Sequence, residues 1–218
     1  MGDYFNTKPG HAYTNEQMVR EQVEARGIRN MRVLEAMLRV DRSLFVPPDL
    51  KKETYSDCAL PVGYEQTISQ PYIVGLMTEL LDPQPTDRIL EIGAGTGYQT
   101  AILLELGAEV WSLEIVHELA DATRNWLKAL GYRNSNVVEG NGWEGLPEHA
   151  PYQKILVAAA PEKVPEKLLT QLAIGGRIIV PIGIGDQDLI VIERTGESQF
   201  DRKSIAPVRF VPLVGGGS

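Results

Sequence analysis

The sequence predicts an α/β protein with a doubly wound, mostly parallel sheet behind a small helical N-terminal extension. Three observations carry this. From Arg88 onward, short apolar runs alternate with helical ones; a glycine-rich turn joins the first apolar run to a helix; and residues 14–40 repeat their apolar positions every three or four residues.

Met18, Val19 and Val23, then Val33, Leu34, Met37 and Leu38, mark two helical runs separated by Gly27. "FVPPDL" ends them, because two prolines cannot continue a helix. Residues 51–70 lack periodicity and are expected to be loop. "PYIVGLMTELL" predicts a helix with Pro71 in its first turn, where a missing N–H costs nothing. After the turn "DPQPTD", "RILEIG", "EVWSLE", "NVVEG", "KILVAA" and "GRIIVPIG" predict strands. "YQTAILLEL", "HELADATRNWLKAL" and "VPEKLLTQL" predict the intervening helices. Such alternation implies right-handed crossovers and a sheet covered on both faces. "DLIVIER" and "VRFVPL" follow without a helix between them, predicting an antiparallel edge.

Composition narrows the function. A chain of 218 residues with net charge −8 and no Lys/Arg cluster argues against nucleic acid as a partner. One cysteine, Cys58, allows no internal disulfide and suits a reducing compartment. With His11, His117 and His149 scattered, a Cys/His metal cluster is not expected. No apolar run approaches the ~20 residues that span a bilayer, and the first residues lack the apolar core of a signal peptide. The expectation is a soluble cytoplasmic protein.

"ILEIGAGTGYQT" has the strand–loop–helix plan of a nucleotide site: a strand ending in the acidic Glu91, then Gly93, Gly95 and Gly97. Its G-x-G-x-G spacing is not the dinucleotide G-x-G-x-x-G. Glu114 ends the next strand about 20 residues on, where a carboxylate would accept from ribose hydroxyls. Asn141 and Gly142 follow the third strand at the same rim, although Asn-Gly is also an ordinary turn.

This set resembles the class I S-adenosylmethionine-dependent methyltransferases. "QTISQPYIV", "GWEGLPEHAPY" and "VRFVPLV" make it similar to the protein-L-isoaspartate O-methyltransferases, from about Thr14 to Leu213. The resemblance implies a Rossmann-like sheet of seven strands with an antiparallel last strand. It implies S-adenosyl-L-methionine as cofactor, S-adenosyl-L-homocysteine as product and no metal. Gly93, Gly95 and Gly97 would line the methionine part, Glu114 would hold the ribose, and Asn141 and Gly142 would face the adenine. Gln66, Thr67, Ile68 and Ser69 would close over sulfonium and substrate, with Ser69 and Thr67 catalytic. Asn141 stands where the family usually has Asp, Ala158 where Thr is common and Glu65 where Gly is frequent. The implied division is 1–70 as extension and active-site loop, 71–214 as cofactor domain and 215–218 as a flexible tail. Age-damaged proteins and peptides containing isoaspartate would be the partners of a monomer.

The stretch "GYEQTISQP" holds hydroxyls and amides but no histidine, lysine or cysteine. That suits methyl transfer to a carboxylate, which is ionised at neutral pH and needs no base. Ser69 is expected to cap the helix that starts at Pro71 and to offer its N-terminus to an anion. Cys58, Trp111, Trp126 and Trp143 are expected to be packing or loop residues, and Glu79 and Glu105 solvated. Three other functions stay open: a carboxyl methyltransferase for one dedicated peptide or small acid, a non-catalytic cofactor binder, and an NAD-dependent oxidoreductase, which the glycine spacing disfavours.

Overall fold

The computed structural model describes residues 13–216. Residues 1–12 with His11, and 217–218 of the expected tail, lie outside the described residues. The N-terminal segment starts with α1 (Asn15–Gln17), capped by Thr14, and continues as a π-helix (Met18–Val23) and a 3-10 turn (Glu24–Arg26). Gly27, at φ 109°, ends it, a backbone conformation that costs glycine little. In α2 (Met31–Arg39), Val33, Leu34, Ala36 and Met37 face inward at helical spacing. Asn30 caps its start by accepting from the N–H groups of Arg32 and Val33, an arrangement worth about 1 kcal/mol.

Residues 51–70 are not all loop. β1 (Leu60–Gly63) and β2 (Gln66–Ile68) form an antiparallel hairpin through Tyr64 and Glu65, at φ 52° and 58°. A two-residue turn with both φ positive matches the twist of a hairpin. Leu60 and Ile68, opposite one another, are both buried and anchor it. α3 (Pro71–Leu81) follows, and its Gly75 lets the extension approach: a Cβ there would stand 2.7 Å from Val23 Cγ1.

The main sheet contains β3 (Arg88–Ile92), β4 (Glu109–Glu114), β5 (Asn136–Glu139), β6 (Tyr152–Val157), β7 (Leu172–Ile182), β8 (Gln187–Arg194) and β9 (Phe200–Val208), in the order β5-β4-β3-β6-β7-β8-β9. The first five positions pair in parallel; β7–β8 and β8–β9 pair antiparallel. Seven strands with antiparallel pairing at the C-terminal end match the expected fold. The last strand's position is a correction, since it covers "FDRKSIAPV" and not "VRFVPL". Asp201, Arg202 and Lys203 are exposed on this edge, so no apolar alternation marks it.

Helices α4 (Tyr98–Glu105), α5 (His117–Ala129) and α6 (Glu166–Gln171) fill the crossovers. Leu90, Ile92, Ile155 and Val157 pack on one face of the sheet, and Ile89, Val110, Leu156 and Ile179 on the other. Each such buried side chain contributes roughly 1.5–3 kcal/mol. Register aligns Ile92 with Leu113 and Val157, and Glu114 with Glu139. The four strands therefore deliver their following loops to one rim, and the strand order reverses at β3, the place where open α/β sheets bind ligands.

Candidate active site

The glycine loop is fixed from below. The N–H groups of Gly93 and Ala94 both donate to the Leu113 carbonyl, at 2.8 and 3.0 Å. Gly93 and Gly97 have φ of 88° and 87°, so side chains there would be strained. At Gly97 a Cβ would also press on Thr123 (2.9 Å) and Leu127 (3.2 Å). Gly97 thus sits against α5 and lines none of the cavities described below. Gly93 and Gly95 do line one.

Glu114 is buried at the rim. Its Oε2 accepts from the Gly95 N–H at 2.9 Å and its Oε1 from the Val116 N–H at 3.1 Å. A carboxylate has about four acceptor positions, so two backbone bonds leave capacity for hydroxyls of a ligand. Glu91 differs. It lies beneath the loop with no exposure, and Oε2 accepts from Thr100 (2.6 Å) and Ser112 (2.5 Å) hydroxyls. It lines none of the cavities described below and tethers β3 to α4 and β4. Burial pushes its pKa up to about 7, with the nearby Glu114 adding to the rise and the two hydroxyls opposing it.

A raised carboxyl pKa means that the fold prefers the neutral acid. The stability it contributes is complete below about 4.5 and is lost as pH rises through 7. Glu91→Gln should remove that loss, roughly 2–3 kcal/mol between pH 4.5 and 8. Urea unfolding of both proteins across this window checks it; parallel stability curves would leave Glu91 without the assigned cost.

Three cavities meet at the rim. One is walled by Gly93, Glu114, Ile115, Gly142, Leu213 and Val214; the next holds Gln66 to Ser69, Gly93, Gly95, Tyr98 and Glu114. The third, about 640 Å³ and open to solvent, is lined among others by Arg26, Thr67, Ser69, Gln70 and Arg209. Gln66, Gly93, Glu114 and Ala159 are common to the first two, while Thr67, Ser69, Ala158 and Val211 are common to the second and third. Gln66, Thr67, Ile68, Ser69, Gly93, Gly95, Glu114 and Gly142 are therefore brought together. Gly142 fits tightly, since a Cβ would fall 2.3 Å from Ile92 Cγ2.

Further expectations change besides those for Gly97 and Glu91. Ser69 does not cap α3. Pro71 is the first helical residue, Gln70 is the cap and no side chain bonds the helix end. Asn141 walls none of these cavities, because its side chain is engaged elsewhere. Its Oδ1 accepts from the Trp143 N–H at 3.0 Å, and its Nδ2 donates to the Gly215 carbonyl at 2.7 Å. Gly215, expected in a free tail, is thus held, and Trp143 Nε1 donates to the Leu213 carbonyl at 3.2 Å. Ala160 bonds the same segment through Val211 and Leu213. Glu79 is likewise more than solvated: Oε1 accepts from the Arg29 and Asn30 N–H groups.

Asn141→Asp should therefore weaken cofactor binding. An aspartate oxygen would face the Gly215 carbonyl in place of a donor and loosen the segment that carries Leu213 and Val214. The expected loss is about 1–2 kcal/mol in S-adenosylhomocysteine affinity, measured by calorimetric titration. Affinity held or improved would place the Asn141 oxygen on the ligand instead.

The residues fit an adenosyl cofactor by their chemistry: the buried carboxylate of Glu114 ending the strand next to the reversal point, glycines on the loop after β3 and an apolar wall beyond. Comparison with known proteins gives the same direction. The family described as "Protein-L-isoaspartate(D-aspartate) O-methyltransferase" matches residues 13–218. A Synechococcus protein-L-isoaspartate O-methyltransferase is 51% identical over 211 residues, covering 93% of this chain and 86% of its own. The Methanoregula boonei protein of that name is 52% identical over 200 residues, covering 91% and 92%. A solved protein-L-isoaspartate O-methyltransferase superposes with a TM-score of 0.82 at 28% identity, over 93% of this chain and 66% of that longer one. A Plasmodium falciparum structure in complex with S-adenosyl-L-homocysteine shares the fold, with a TM-score of 0.81 at 24% identity over 94% of this chain and 100% of that one.

Proposed function

Because the chain belongs to the protein-L-isoaspartate(D-aspartate) O-methyltransferase family, we propose that its three joined cavities hold a methyl donor and an isoaspartyl carboxylate side by side. The protein is a transferase that esterifies the α-carboxylate of L-isoaspartyl residues; the following backbone nitrogen then attacks the ester carbonyl, expelling methanol, and closes a succinimide. S-Adenosylmethionine supplies an electrophilic methyl group on a sulfonium.

The chain's own residues bind and orient. Glu114 accepts from the ribose hydroxyls, Gly93 and Gly95 admit the methionine part, and Gly142, Leu213 and Val214 enclose the adenosine. Glu91 and Gly97 shape the loop from behind, and Asn141 secures the segment that bears Leu213. Thr67 and Ser69 occupy the wall between donor and open groove, and this position is the observation that carries the reading. Neither hydroxyl has a partner among the described residues' hydrogen bonds, so both can donate to a carboxylate. A substrate carboxyl with a pKa near ~4 arrives ionised, so holding it in line replaces proton transfer. The absence of histidine and lysine from Gly63 to Pro71 suits that task.

The groove is open enough for a polypeptide segment, which fits age-damaged proteins as substrates. We read residues 1–70 as the substrate side and 71–214 as the cofactor domain of a cytoplasmic monomer, and the net charge of −8 suits proteins better than nucleic acid as partners. Among the described residues, no helix is long and apolar enough to cross a membrane.

The decisive test pairs two peptides that differ only in isoaspartate or aspartate, incubated with methyl-labelled S-adenosylmethionine. Base-labile label is expected on the isoaspartyl peptide. Equal incorporation into both would overturn the assignment, because a site built around the displaced carboxylate cannot ignore its position.

A further inference from the structure

Arg42 is the most completely buried cation of the described chain, with no measurable exposure, and no carboxylate lies within ion-pair distance among the described residues. Burial works against its charge, yet a guanidinium stays protonated in proteins. Its planar fork is satisfied by carbonyls from separate parts of the active-site segment. Nε donates to Thr54 at 2.9 Å, Nη1 to Ser69 at 2.7 Å and Nη2 to Cys58 at 3.4 Å. The guanidinium carbon stands 5.3 Å from the centre of the Tyr98 ring, at the start of α4. One side chain thus joins the loop before the hairpin, the residue after it and the first residue of α4.

The Ser69 bond has a directional consequence. The Ser69–Gln70 peptide is trans, so its N–H points opposite to its carbonyl. With the carbonyl turned to Arg42, the Gln70 N–H is turned away from it. That N–H donates to nothing among the described residues, and both Ser69 and Gln70 line the 640 Å³ groove. At this half-buried position the donor is left free for water or a ligand in the groove.

We infer that Arg42 is a positioning residue for substrate: by holding the Ser69 carbonyl it presents the Gln70 N–H, beside the Ser69 hydroxyl, to the isoaspartyl carboxylate. The inference rests on the function proposed above and adds a backbone donor and its support. Lysine could keep the charge but not the three-way fork, because an ammonium lacks the fixed planar geometry.

Two pairs of measurements test it on the full chain. Gln70→Ala removes the side chain and keeps the N–H; Gln70→Pro removes the N–H, and the native φ of −53° suits proline. Gln70→Ala loses the side-chain bond to the Asp57 carbonyl (3.0 Å) and serves as the reference for that loss; relative to it, Gln70→Pro should lose a further ~30-fold in kcat/KM for an isoaspartyl peptide, mostly as a higher KM. Arg42→Lys should show the same KM-weighted loss. S-Adenosylhomocysteine affinity should stay within about 2-fold in all three. Equal activity of Gln70→Pro and Gln70→Ala would overturn the backbone donor, even if Arg42→Lys fails to fold. A folded Arg42→Lys with parental KM would overturn the positioning role. A parent that does not methylate the peptide would instead count against the underlying function, so the two failures are distinguishable.

Discussion

Replacing Ser69 with alanine is expected to slow methylation by one to two orders of magnitude while leaving thermal stability almost unchanged. The hydroxyl stands in the wall shared by the cavity that holds Gly93 and Glu114 and the open groove, and it makes no hydrogen bond within the described chain. One oriented bond to a charged group is worth about 1.5–3 kcal/mol, which sets the size of the loss. Because Gln70 occupies the cap position of α3, no capping energy is removed. The pH–rate profile should keep its shape, since this group transfers no proton. Single-turnover methylation at saturating cofactor, alongside a melting curve, checks both halves. An unchanged rate would remove Ser69 from the reaction.

Glu114→Ala should have the larger effect on cofactor, lowering S-adenosylhomocysteine affinity by two to three orders of magnitude. Two charge-assisted bonds to ribose hydroxyls would be lost, each of about 1.5–3 kcal/mol. The Gly95 N–H, now satisfied by Oε2 at 2.9 Å, would lose its partner, so the glycine loop would also be less well placed. Glu114→Gln keeps one oxygen acceptor and should fall between parent and alanine. Titration calorimetry with the three proteins gives the ranking; equal affinity of Ala and parent would move the ribose elsewhere.

The sheet was legible where burial leaves a pattern. "EVWSLE" is β4 residue for residue, and "PYIVGLMTELL" is α3. Elements with little apolar signal were not. β9 is an exposed edge whose charged residues hide its period, and the β1–β2 hairpin turns through Tyr64 and Glu65, neither a usual residue for positive φ. The misplacement of the cap follows from Pro71 itself: a proline at the first helical position makes the preceding residue, Gln70, the cap. At the candidate site, the glycine spacing and the acid ending β4 announced themselves because a tight loop turn and a carboxylate that holds the Gly95 and Val116 N–H groups constrain residue type. Glu91 shared that acidic signal but faces hydroxyls within the core, a difference of strand face and depth that spacing alone does not encode. Arg42 gave no signal at all, for its partners are main-chain carbonyls, which every residue possesses.

The segment held by Asn141, Trp143 and Ala160 bears on how the enzyme comes into being. Leu213 and Val214, which wall the cavity that also holds Glu114 and Gly142, are translated after every strand of the sheet, whereas the glycine loop and Glu114 emerge far earlier. A chain still short of residue 213 can therefore carry every strand of the sheet and yet lack one wall of that cavity, and one truncated just past β9 would leave the cavity open on that side.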